Sequence, residues 1–454
     1  MVDLLESINT FLWGVPVLLL IVVVGLYLSI RSGFAQFRLL PRAFCRLLQS
    51  VRTDHGSGYR ALCTALAATV GTGNLAGVAG AIAVGGPGVV FWMWICGFLG
   101  MIIKLSEVIL AVNYRKQNDK GEYIGGPMHV INRTFSSRWR YLATLYSFFG
   151  VIAAFGIGNA TQINTVMDSF LNSADLTVYH EDIKTRILLG LVLSVLVFCI
   201  LKRGTGCIGS IAESLVPFAA GIYILLSVLA VIMCADRLPG AIRAIIVGAF
   251  SPRSVTGGVL FSAFQTIRIG ASRGVFTNEA GMGTASIAHA GSETEDPVEQ
   301  GLLGVIEVFL DTIVICSLTA LVILCSDITV EYGKDIGIAL TLRAFAAVYG
   351  DWVTIVMSGI ICILAFATIL GWSFYGARCA EFIWGDSAWG VFTVFQSLIV
   401  IVASVMGTGT VWILSEIVNG LMAIPNLIML LWLSPQCIHM IRAYCCKEKA
   451  YRLF

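Results

Sequence analysis

Long apolar runs recur along the chain, and short polar segments separate them. An apolar run of about 18 residues or more can cross a hydrocarbon core of about 30 Å as an α-helix. Eleven segments with few or no charges are candidate spans. They are residues 12–30, 61–85, 88–113, 141–171, 187–201, 211–234, 256–269, 300–325, 351–381, 388–406 and 410–432. The pattern predicts an all-α polytopic membrane protein of about eleven transmembrane helices.

The composition agrees with this prediction. Of the 454 residues, 57% are apolar and 12% are charged, whereas soluble domains carry about 25% charged residues. This deficit argues against a soluble enzyme or a disordered scaffold. A net charge of +2 gives no strong field for nucleic acid, so no nucleic-acid partner is expected. Most of the thirteen cysteines lie in apolar runs, where Cys acts as a small apolar residue, and we expect structural thiols.

The arginines predict the orientation in the membrane. Short loops rich in Lys and Arg mark the cytoplasmic side, and residues 31–60 hold six arginines against one acid, Asp54. We therefore expect this segment inside and the N-terminus outside. Eleven crossings then put the C-terminus inside, near Arg442 and Lys447. Because the first span is preceded by acidic residues, we do not expect it to be a cleavable signal peptide.

The second span contains an expected helix interruption. Gly71 and Gly73 flank Thr72, and Asn74 follows; glycine disfavours a helix interior, and asparagine competes for backbone hydrogen bonds. An interruption at membrane depth is tolerated where it lines a cavity or is buried in protein. Freed amides can then bind a carboxylate, and freed carbonyls a cation. The alternative is that these small residues only permit close helix packing.

The seventh span repeats this feature, because it begins with Thr256, Gly257 and Gly258. Counted from the second span, it opens a second group of five helices. An odd number of crossings per group gives the two groups opposite orientations, so a repeat would be inverted. Paired interruptions in corresponding positions of two halves point to a transporter binding site.

Three composite motifs resemble the alanine or glycine:cation symporter family. The first runs over residues 69–114 and begins TVGTGNLAGVAG, with GEYIGGPM following from Gly121. The second is RIGASRGVFTNEAGMGTASIAHA at residues 268–290, and the third is LAFATILGWSFYG at residues 364–376. The resemblance covers most of the chain from about residue 60 onward.

The resemblance implies a LeuT-type fold of two inverted five-helix repeats preceded by one extra helix. The corresponding division is 1–60 for the extra helix and basic segment, 61–237 and 238–435 for the repeats, and 436–454 for a cytoplasmic tail. It also implies a non-enzymatic secondary transporter that couples sodium entry to uptake of alanine or glycine by alternating access. Sodium would be the coupling ion, with no other cofactor. One chain would suffice, in the lipid bilayer of a prokaryotic inner (plasma) membrane.

The family pattern also implies a binding site. The expected substrate contacts are Gly71, Thr72, Gly73, Asn74, Gln162, Thr368 and Trp372. Sodium would take backbone oxygens near Ala67 and Val70 together with the Thr368 hydroxyl. Many family members carry a hydroxyl residue just before this threonine, whereas Ala367 stands here.

Intramembrane acids leave an alternative open, namely a proton-coupled amino-acid symporter. Such acids are functional hypotheses by default, and Asp311 and Glu416 are the candidate proton carriers. We expect Lys104 and Glu107, three residues apart, to neutralise each other. His289 has no evident partner set. The topology further predicts a cytoplasmic loop that contains Arg268, Arg273, Asn278 and Glu279.

Overall fold

The computed structural model describes residues 2–14, 16–53, 56–173, 183–251, 263–333, 337–406 and 408–451. The helices are α1 (Val2–Gly14), α2 (Pro16–Ser32), α3 (Ala35–Arg38), α4 (Leu40–Thr53), α5 (Ser57–Thr69), α6 (Val78–Gly85), α7 (Val89–Asn113), α8 (Pro127–Thr134), α9 (Tyr141–Phe155), α10 (Thr161–Ser173), α11 (Ile183–Lys202), α12 (Thr205–Met233), α13 (Leu238–Phe250), α14 (Ala263–Asn278), α15 (Thr284–Ala290), α16 (Pro297–Val308), α17 (Ser317–Cys325), α18 (Gly337–Tyr349), α19 (Trp352–Trp384), α20 (Ala388–Ala403) and α21 (Thr408–Tyr451). Three π-helical segments are Gly73–Gly77, Gly156–Ala160 and Phe309–Cys316, and Ser137–Trp139 is a 3-10 turn. The strands β1 (Lys116–Gln117) and β2 (Tyr123–Ile124) form an antiparallel hairpin.

Eight helices in the described part of the chain are long and apolar enough to cross a membrane. A ninth span results if α5 and the segment Gly73–Gly85 are taken together, bent by 46°. Nine of the eleven predicted spans correspond to these. The tenth, 388–406, corresponds to the shorter α20, and 256–269 begins in residues 252–262, which lie outside the described residues. A count of eleven therefore stays a prediction.

Two apolar helices, α13 and α18, were missed by the sequence analysis. Each has only 13 residues, which is too short to satisfy a criterion based on the thickness of the hydrocarbon core. The helix α18 packs beside the π-helical segment Gly73–Gly77 and α6, where Thr341 donates a hydrogen bond to the carbonyl of Leu75 over 3.0 Å.

The long helices α7 and α19 form the centre of the bundle. The helix α7 packs against α2, α14 and α16, whereas α19 packs against α5, α9, α10 and α12. A close approach positions α19 against α5, since a Cβ atom at Gly371 would lie 2.8 Å from the backbone nitrogen of Ala68. Contact of this kind through small residues is typical of membrane helices. The contact at Gly371 places the third composite motif, residues 364–376, against the end of α5, where the second predicted span is interrupted.

Peripheral helices leave apolar side chains uncovered. On α11, for example, Leu188, Leu191 and Val195 are 61%, 47% and 53% exposed. Such a surface is appropriate for lipid contact, because a chain with this many exposed apolar residues is unsuited to water. The bundle thus has an apolar outer surface around a packed centre.

The expected cytoplasmic loop around residues 268–279 is wrong. Arg268, Arg273 and Asn278 lie within α14, and the chain leaves the helix only at Glu279. Glu279, Gly281 and Gly283 have φ values of 55°, 93° and 76°, and α15 follows. These left-handed residues create a second interruption, at 279–283. The expected break at Thr256–Gly258 falls outside the described residues.

The predicted division into repeats stays a prediction. Its boundary at 237/238 falls at the start of α13, and its boundary at 435/436 falls inside α21, which continues to Tyr451.

Candidate functional site

The first interruption begins where α5 ends at Thr69. Val70 has a ψ of 88°, and the backbone nitrogen of Gly71 donates to Oδ1 of Asn74 over 3.0 Å. The asparagine side chain thus replaces a helix carbonyl as acceptor, the competition expected for this residue type. A π-helical segment, common at functional sites, follows at Gly73–Gly77. The predicted interruption of the second span is confirmed.

Gln162 supplies an amide beside this interruption. Its Oε1 accepts hydrogen bonds from the hydroxyl of Thr72 at 2.9 Å and from the backbone nitrogen of Thr72 at 3.4 Å. Its Nε2 donates to the carbonyl of Ile157 over 3.0 Å. That carbonyl lies in the π-helical segment Gly156–Ala160. The contacts fix the orientation of the amide, with its oxygen directed at the first interruption.

Gly71 is enclosed by two of the other predicted site residues. A Cβ atom at this position would lie 2.3 Å from Oγ1 of Thr368 and 3.3 Å from Oε1 of Gln162. Only glycine leaves space here. The structure therefore brings Gly71, Thr72, Gln162 and Thr368 together, although α10 and α19 are far from α5 in sequence.

Thr368 contacts the end of α5 directly. Its hydroxyl oxygen lies 2.9 Å from the carbonyl oxygen of Ala67 and 3.0 Å from that of Leu364, and its single proton is shared between these two acceptors. The last carbonyls of a helix have no partner within it, and α5 ends two residues after Ala67. Val70 is the first residue after the helix, with a backbone conformation that is no longer helical. This is a concentration of oxygen donors of the kind that hard monovalent cations prefer.

Trp372 lies one helical turn beyond Thr368, on the same face of α19. Trp372 is fully buried, and a Cβ atom added at Gly158 would lie 2.2 Å from the Cβ atom of Trp372. Across the interruption, Gly73 faces α14, because its Cβ position is 3.4 Å from the ring of Phe276. Two aromatic side chains therefore lie near the predicted site, Trp372 against the π-helical segment Gly156–Ala160 and Phe276 against Gly73.

The side chain of Asn74 is turned towards the third π-helical segment, Phe309–Cys316. Its Nδ2 donates to Oδ1 of Asp311 at 2.6 Å. The other carboxylate oxygen of Asp311 accepts from the hydroxyl of Thr312 at 2.9 Å, and that hydroxyl accepts from Nδ2 of Asn278 at 3.0 Å. Asn74 thus connects the first interruption to a buried carboxylate.

A second buried carboxylate, Glu107, stabilises the interruption at 279–283. Its Oε1 accepts from the backbone nitrogens of Gly281 and Gly283 at 2.9 and 3.1 Å, and from Nδ2 of Asn426 at 2.6 Å. The sequence analysis missed this role. The signal that could have found it was the position of Glu107 in the middle of an apolar span, where a carboxylate is costly without hydrogen-bond donors.

The sequence suggested that Lys104 pairs with Glu107, but in the structure it pairs with Glu307. Its Nζ lies 3.1 Å from Oε1 of Glu307, and both side chains are fully buried. His289 also has partners, with Nε2 3.2 Å from the other Glu307 oxygen and Nδ1 2.8 Å from Nε2 of Gln300. Because α7 is distant in sequence from α15 and α16, spacing alone could not reveal this cluster.

A cavity of about 600 Å³ opens at the end of the bundle that carries the arginine-rich segment. It is lined by α5, the β1–β2 hairpin, α12, α15 and α19, and Thr64 in its wall lies one helical turn before Ala68. At its mouth, Glu122 accepts hydrogen bonds from Arg378 and Thr205, both at 2.8 Å. Partial burial alone would raise the pKa of Glu122, but these hydrogen bonds outweigh that effect and lower it.

A second cavity, of about 400 Å³, lies at the opposite end. Its lining includes Arg273 and Glu416, which form an ion pair at 3.0 Å. Next to them, the rings of Phe276 and Trp412 stack at 5.0 Å. The guanidinium of Arg273 lies 5.0 Å from the centre of the Trp412 ring. These contacts join α14 to α21 between this cavity and Gly73.

Interrupted helices at the centre of a polytopic bundle, with a cavity at each end, define a membrane transporter. The chain belongs to the sodium:alanine symporter family, whose sequence profile matches residues 1–453. It is 36% identical over 441 residues to the sodium/alanine symporter AgcS of Methanococcus maripaludis, which covers 95% of each chain. It is 34% identical over 435 residues to the amino-acid carrier protein AlsT of Bacillus subtilis, covering 95% of this chain and 90% of the relative.

A solved structure shows the fold. The crystal structure of MhsT in complex with L-phenylalanine matches with a TM-score of 0.57 and 13% identity, covering 85% of this chain and 97% of that one. The fold is the LeuT type that the resemblance implied. The chain is a multi-pass membrane transporter of amino acids, and not an enzyme.

Proposed function

We propose that this protein couples inward sodium movement to the uptake of alanine or glycine by alternating access. The observation that carries the proposal is the assembly of Gly71, Thr72, Gln162 and Thr368 at the first interruption. Hydroxyl, amide and backbone groups can bind both ends of a zwitterion without fixed charge. The similarity to a sodium/alanine symporter of Methanococcus maripaludis favours the same substrate class.

The substrate contacts follow from the chemistry of these groups. In this conformation the backbone amides of Gly71 and Thr72 donate to Asn74 and Gln162; on substrate binding they would be released and, with the amide of Gly73, would donate to a carboxylate, as at other interrupted membrane helices. Gln162 would offer its amide group, Thr368 its hydroxyl, and Asn74 the amide that now joins Gly71 to Asp311. Trp372 would limit the size of the substrate side chain, because it is fully buried one turn from Thr368. A binding site bounded in this way would suit alanine and glycine.

The sodium ion would lie between α5 and α19. Its ligands would be the carbonyls of Ala67 and Val70 and the hydroxyl of Thr368. The hydroxyl already lies 2.9 Å from the Ala67 carbonyl, so a small displacement would admit an ion between the two oxygens. An ion at this place would also offset the negative charge of a substrate carboxylate at Gly71.

Alternating access would use the two cavities in turn. The larger cavity reaches Thr64, near the proposed sodium site, whereas the ion pair Arg273–Glu416 and the stacked rings separate the smaller one from Gly73. A tenfold sodium gradient supplies about 1.4 kcal/mol and 100 mV about 2.3 kcal/mol per charge. At one-to-one coupling these could sustain a roughly 500-fold substrate gradient.

The proposal also includes the orientation of the protein in the membrane, its location and its oligomeric state. The arginine-rich side of the bundle would face the cytoplasm, with the N-terminus outside and the C-terminus inside, in a prokaryotic inner membrane. A monomer would suffice, because one chain supplies α5, α10, α14 and α19. Of the two candidate proton carriers, Glu416 fits poorly because it is ion-paired with Arg273 at 3.0 Å. Asp311, whose hydrogen-bond partners are neutral, fits the proton-coupled alternative better.

Uptake of labelled alanine into proteoliposomes tests the proposal, with the sodium, potassium or proton gradient as the only variable. We expect accumulation that requires inward sodium, competition by unlabelled glycine, and little competition by leucine. Accumulation driven equally by a potassium gradient, or by a pH gradient without sodium, would contradict the sodium-coupled mechanism. Leucine competing as well as glycine would contradict the proposed limit on substrate size.

A further inference from the structure

A chain of hydrogen bonds joins the two helix interruptions through Asp311. It runs from the backbone nitrogen of Gly71 to Oδ1 of Asn74 at 3.0 Å, and from Nδ2 of Asn74 to Asp311 at 2.6 Å. It continues through Thr312 to Nδ2 of Asn278 at 3.0 Å. Oδ1 of Asn278 accepts from the backbone nitrogen of Ala280 at 2.9 Å, at the second interruption. One carboxyl group thus contacts both interruptions indirectly.

Among the described residues, the hydrogen-bond donors to the Asp311 carboxyl group are Asn74 and Thr312, which are neutral, although the Asp311 side chain is fully buried. A buried carboxylate without a cation carries a large desolvation cost, and such a group usually becomes neutral. Lys104, a cation on the adjacent helix α7, is 3.1 Å from Glu307 and forms its ion pair there.

The other ionisable groups on the surrounding helices have partners or lie elsewhere. Glu107 accepts from Gly281, Gly283 and Asn426, and Glu279 accepts from Thr284. Glu299 pairs with Arg46, and Arg273 pairs with Glu416. Arg268 lines the smaller cavity, and Cys325 lies at the end of α17. The sulfur of Cys316 lies 3.3 Å from Nδ2 of Asn74, and the thiol of Cys96 faces the Ala271 carbonyl.

The geometry indicates where a proton would lie. The amide orientation of Asn74 is fixed, because its oxygen accepts from Gly71, so its nitrogen must donate to Oδ1 of Asp311. A proton on Oδ1 would oppose that donor. Oδ2 faces the hydroxyl of Thr312 at 2.9 Å, and a hydroxyl can accept as well as donate. A proton on Oδ2 could therefore be donated to Thr312, which already accepts from Asn278.

We propose that Asp311 binds a proton on Oδ2 in this conformation and releases it during the transport cycle, in addition to the sodium ion of the proposed function. Release leaves a carboxylate that requires water or further donors. Its present donors belong to the chain that links the two interruptions, so release requires those interruptions to move. The proton would therefore leave only as the helices rearrange, and Asp311 would make transport sensitive to pH.

Infrared spectroscopy of the purified full-length protein tests the first part without any transport measurement. We expect the carbonyl band of a protonated carboxylic acid at neutral pH, reduced by one group in Asp311→Asn and unchanged in Asp386→Asn, an exposed acid beyond α19. Equal bands in the wild-type protein and Asp311→Asn would show an ionised Asp311 and overturn the proposal. If alanine is not the substrate, this result still decides the protonation of Asp311.

Transport measurements test the release of the proton. With a constant sodium gradient, the wild-type uptake rate should vary with pH by up to about tenfold per pH unit on its limiting side. A pH dye in the lumen should report proton movement with alanine. Asp311→Asn should lose both effects, and Asp386→Asn should keep them.

Because a variant can fail to fold, the wild-type protein alone is also decisive. Wild-type uptake that is independent of pH and moves no protons overturns the proposal. So does an Asp311→Asn variant whose half-saturating sodium concentration rises at least tenfold with an unaltered pH profile, because the carboxylate would then bind sodium.

Discussion

The hydroxyl of Thr368 donates to the carbonyl of Ala67 across 2.9 Å, joining the middle of α19 to the end of α5. Three hundred and one positions separate these residues along the chain. The contact places a side-chain oxygen and a freed backbone oxygen next to Gly71. It is the geometric basis of the proposed sodium site.

Removal of this hydroxyl should weaken sodium binding. In Thr368→Val the side chain keeps its shape but loses the oxygen, so we expect the half-saturating sodium concentration for alanine uptake to rise at least about tenfold, which corresponds to 1.4 kcal/mol. Thr368→Ser retains the oxygen and should stay within about threefold of the wild type. The measurement is initial uptake rate against sodium concentration in proteoliposomes. Equal sodium dependence in the two variants would argue against Thr368 as a ligand.

A methyl group at Gly71 should block the site. The Cβ of Gly71→Ala would lie 2.3 Å from Oγ1 of Thr368, so Thr368 or the interruption must shift, at about 1–3 kcal/mol for overpacking. We expect uptake to fall more than about tenfold. Gly77→Ala is the matched control, because a Cβ there meets nothing within 4 Å. It should retain wild-type uptake at equal protein density, and loss of uptake in both variants would indicate that the whole interruption, residues 70–77, tolerates no methyl group.

The fold class and the first interruption could be predicted from sequence, because each rests on a local signal. Apolar runs reveal spans, and Gly71, Thr72, Gly73 and Asn74 together disfavour a continuous helix. The second interruption could not be placed in this way. Glu279 adopts φ of 55° although it is not glycine, and the backbone around it is stabilised by Glu107 from α7. Tertiary contacts, not local preference, position that break.

The buried polar partners were unpredictable for a related reason. Spacing suggested that Lys104 pairs with Glu107, whereas the lysine contacts Glu307 at 3.1 Å. Asn74 was expected to contact substrate, and its side chain contacts Asp311. The sequence identifies which intramembrane residues need a partner, since unpaired buried charge is costly. It does not say which helix supplies the partner.

A hydroxyl restored before Thr368 should strengthen sodium binding. Ala367 is 1% exposed and precedes the proposed ligand. An additional oxygen ligand of order 1 kcal/mol would lower the half-saturating sodium concentration about fivefold in Ala367→Ser. Ala377→Ser places the same group in a buried position on α19 about 15 Å further along, and should leave sodium dependence unchanged. An unaltered value in Ala367→Ser would show that no ion lies within reach of that position.

Loss of the buried lysine should destabilise the protein strongly. In Lys104→Met, Glu307 remains charged and fully buried without its ion pair, and an uncompensated charge of this kind costs about 3–5 kcal/mol. Lys104→Met combined with Glu307→Gln removes both charges and retains a group that can contact His289. We expect the double variant to unfold at a higher temperature than the single variant, by thermal unfolding in detergent. The opposite order would contradict the ion pair.

The hairpin at the mouth of the larger cavity should open in acid. Because the folded state lowers the pKa of Glu122 below its ordinary value of 4.5, its ionised form stabilises the closed hairpin. That contribution is complete above the unfolded value and is lost as the pH falls through the lowered folded value. Hydrogen exchange of residues 116–124 should therefore accelerate, beyond its intrinsic pH dependence, as the pH falls below about 4.5.

Two variants separate this effect from general acid unfolding. In Glu122→Gln the charge is absent, so exchange in the hairpin should already be fast at neutral pH and should show no additional acceleration in acid. Asp119→Asn alters an exposed acid of the same hairpin and should behave like the wild type. Protection in Glu122→Gln equal to that of the wild type at neutral pH would show that the contact with Arg378, at 2.8 Å, does not hold the hairpin closed. In that case the neighbouring contacts of Arg115 with the carbonyls of Ser292 and Thr294 would have to maintain the closed hairpin.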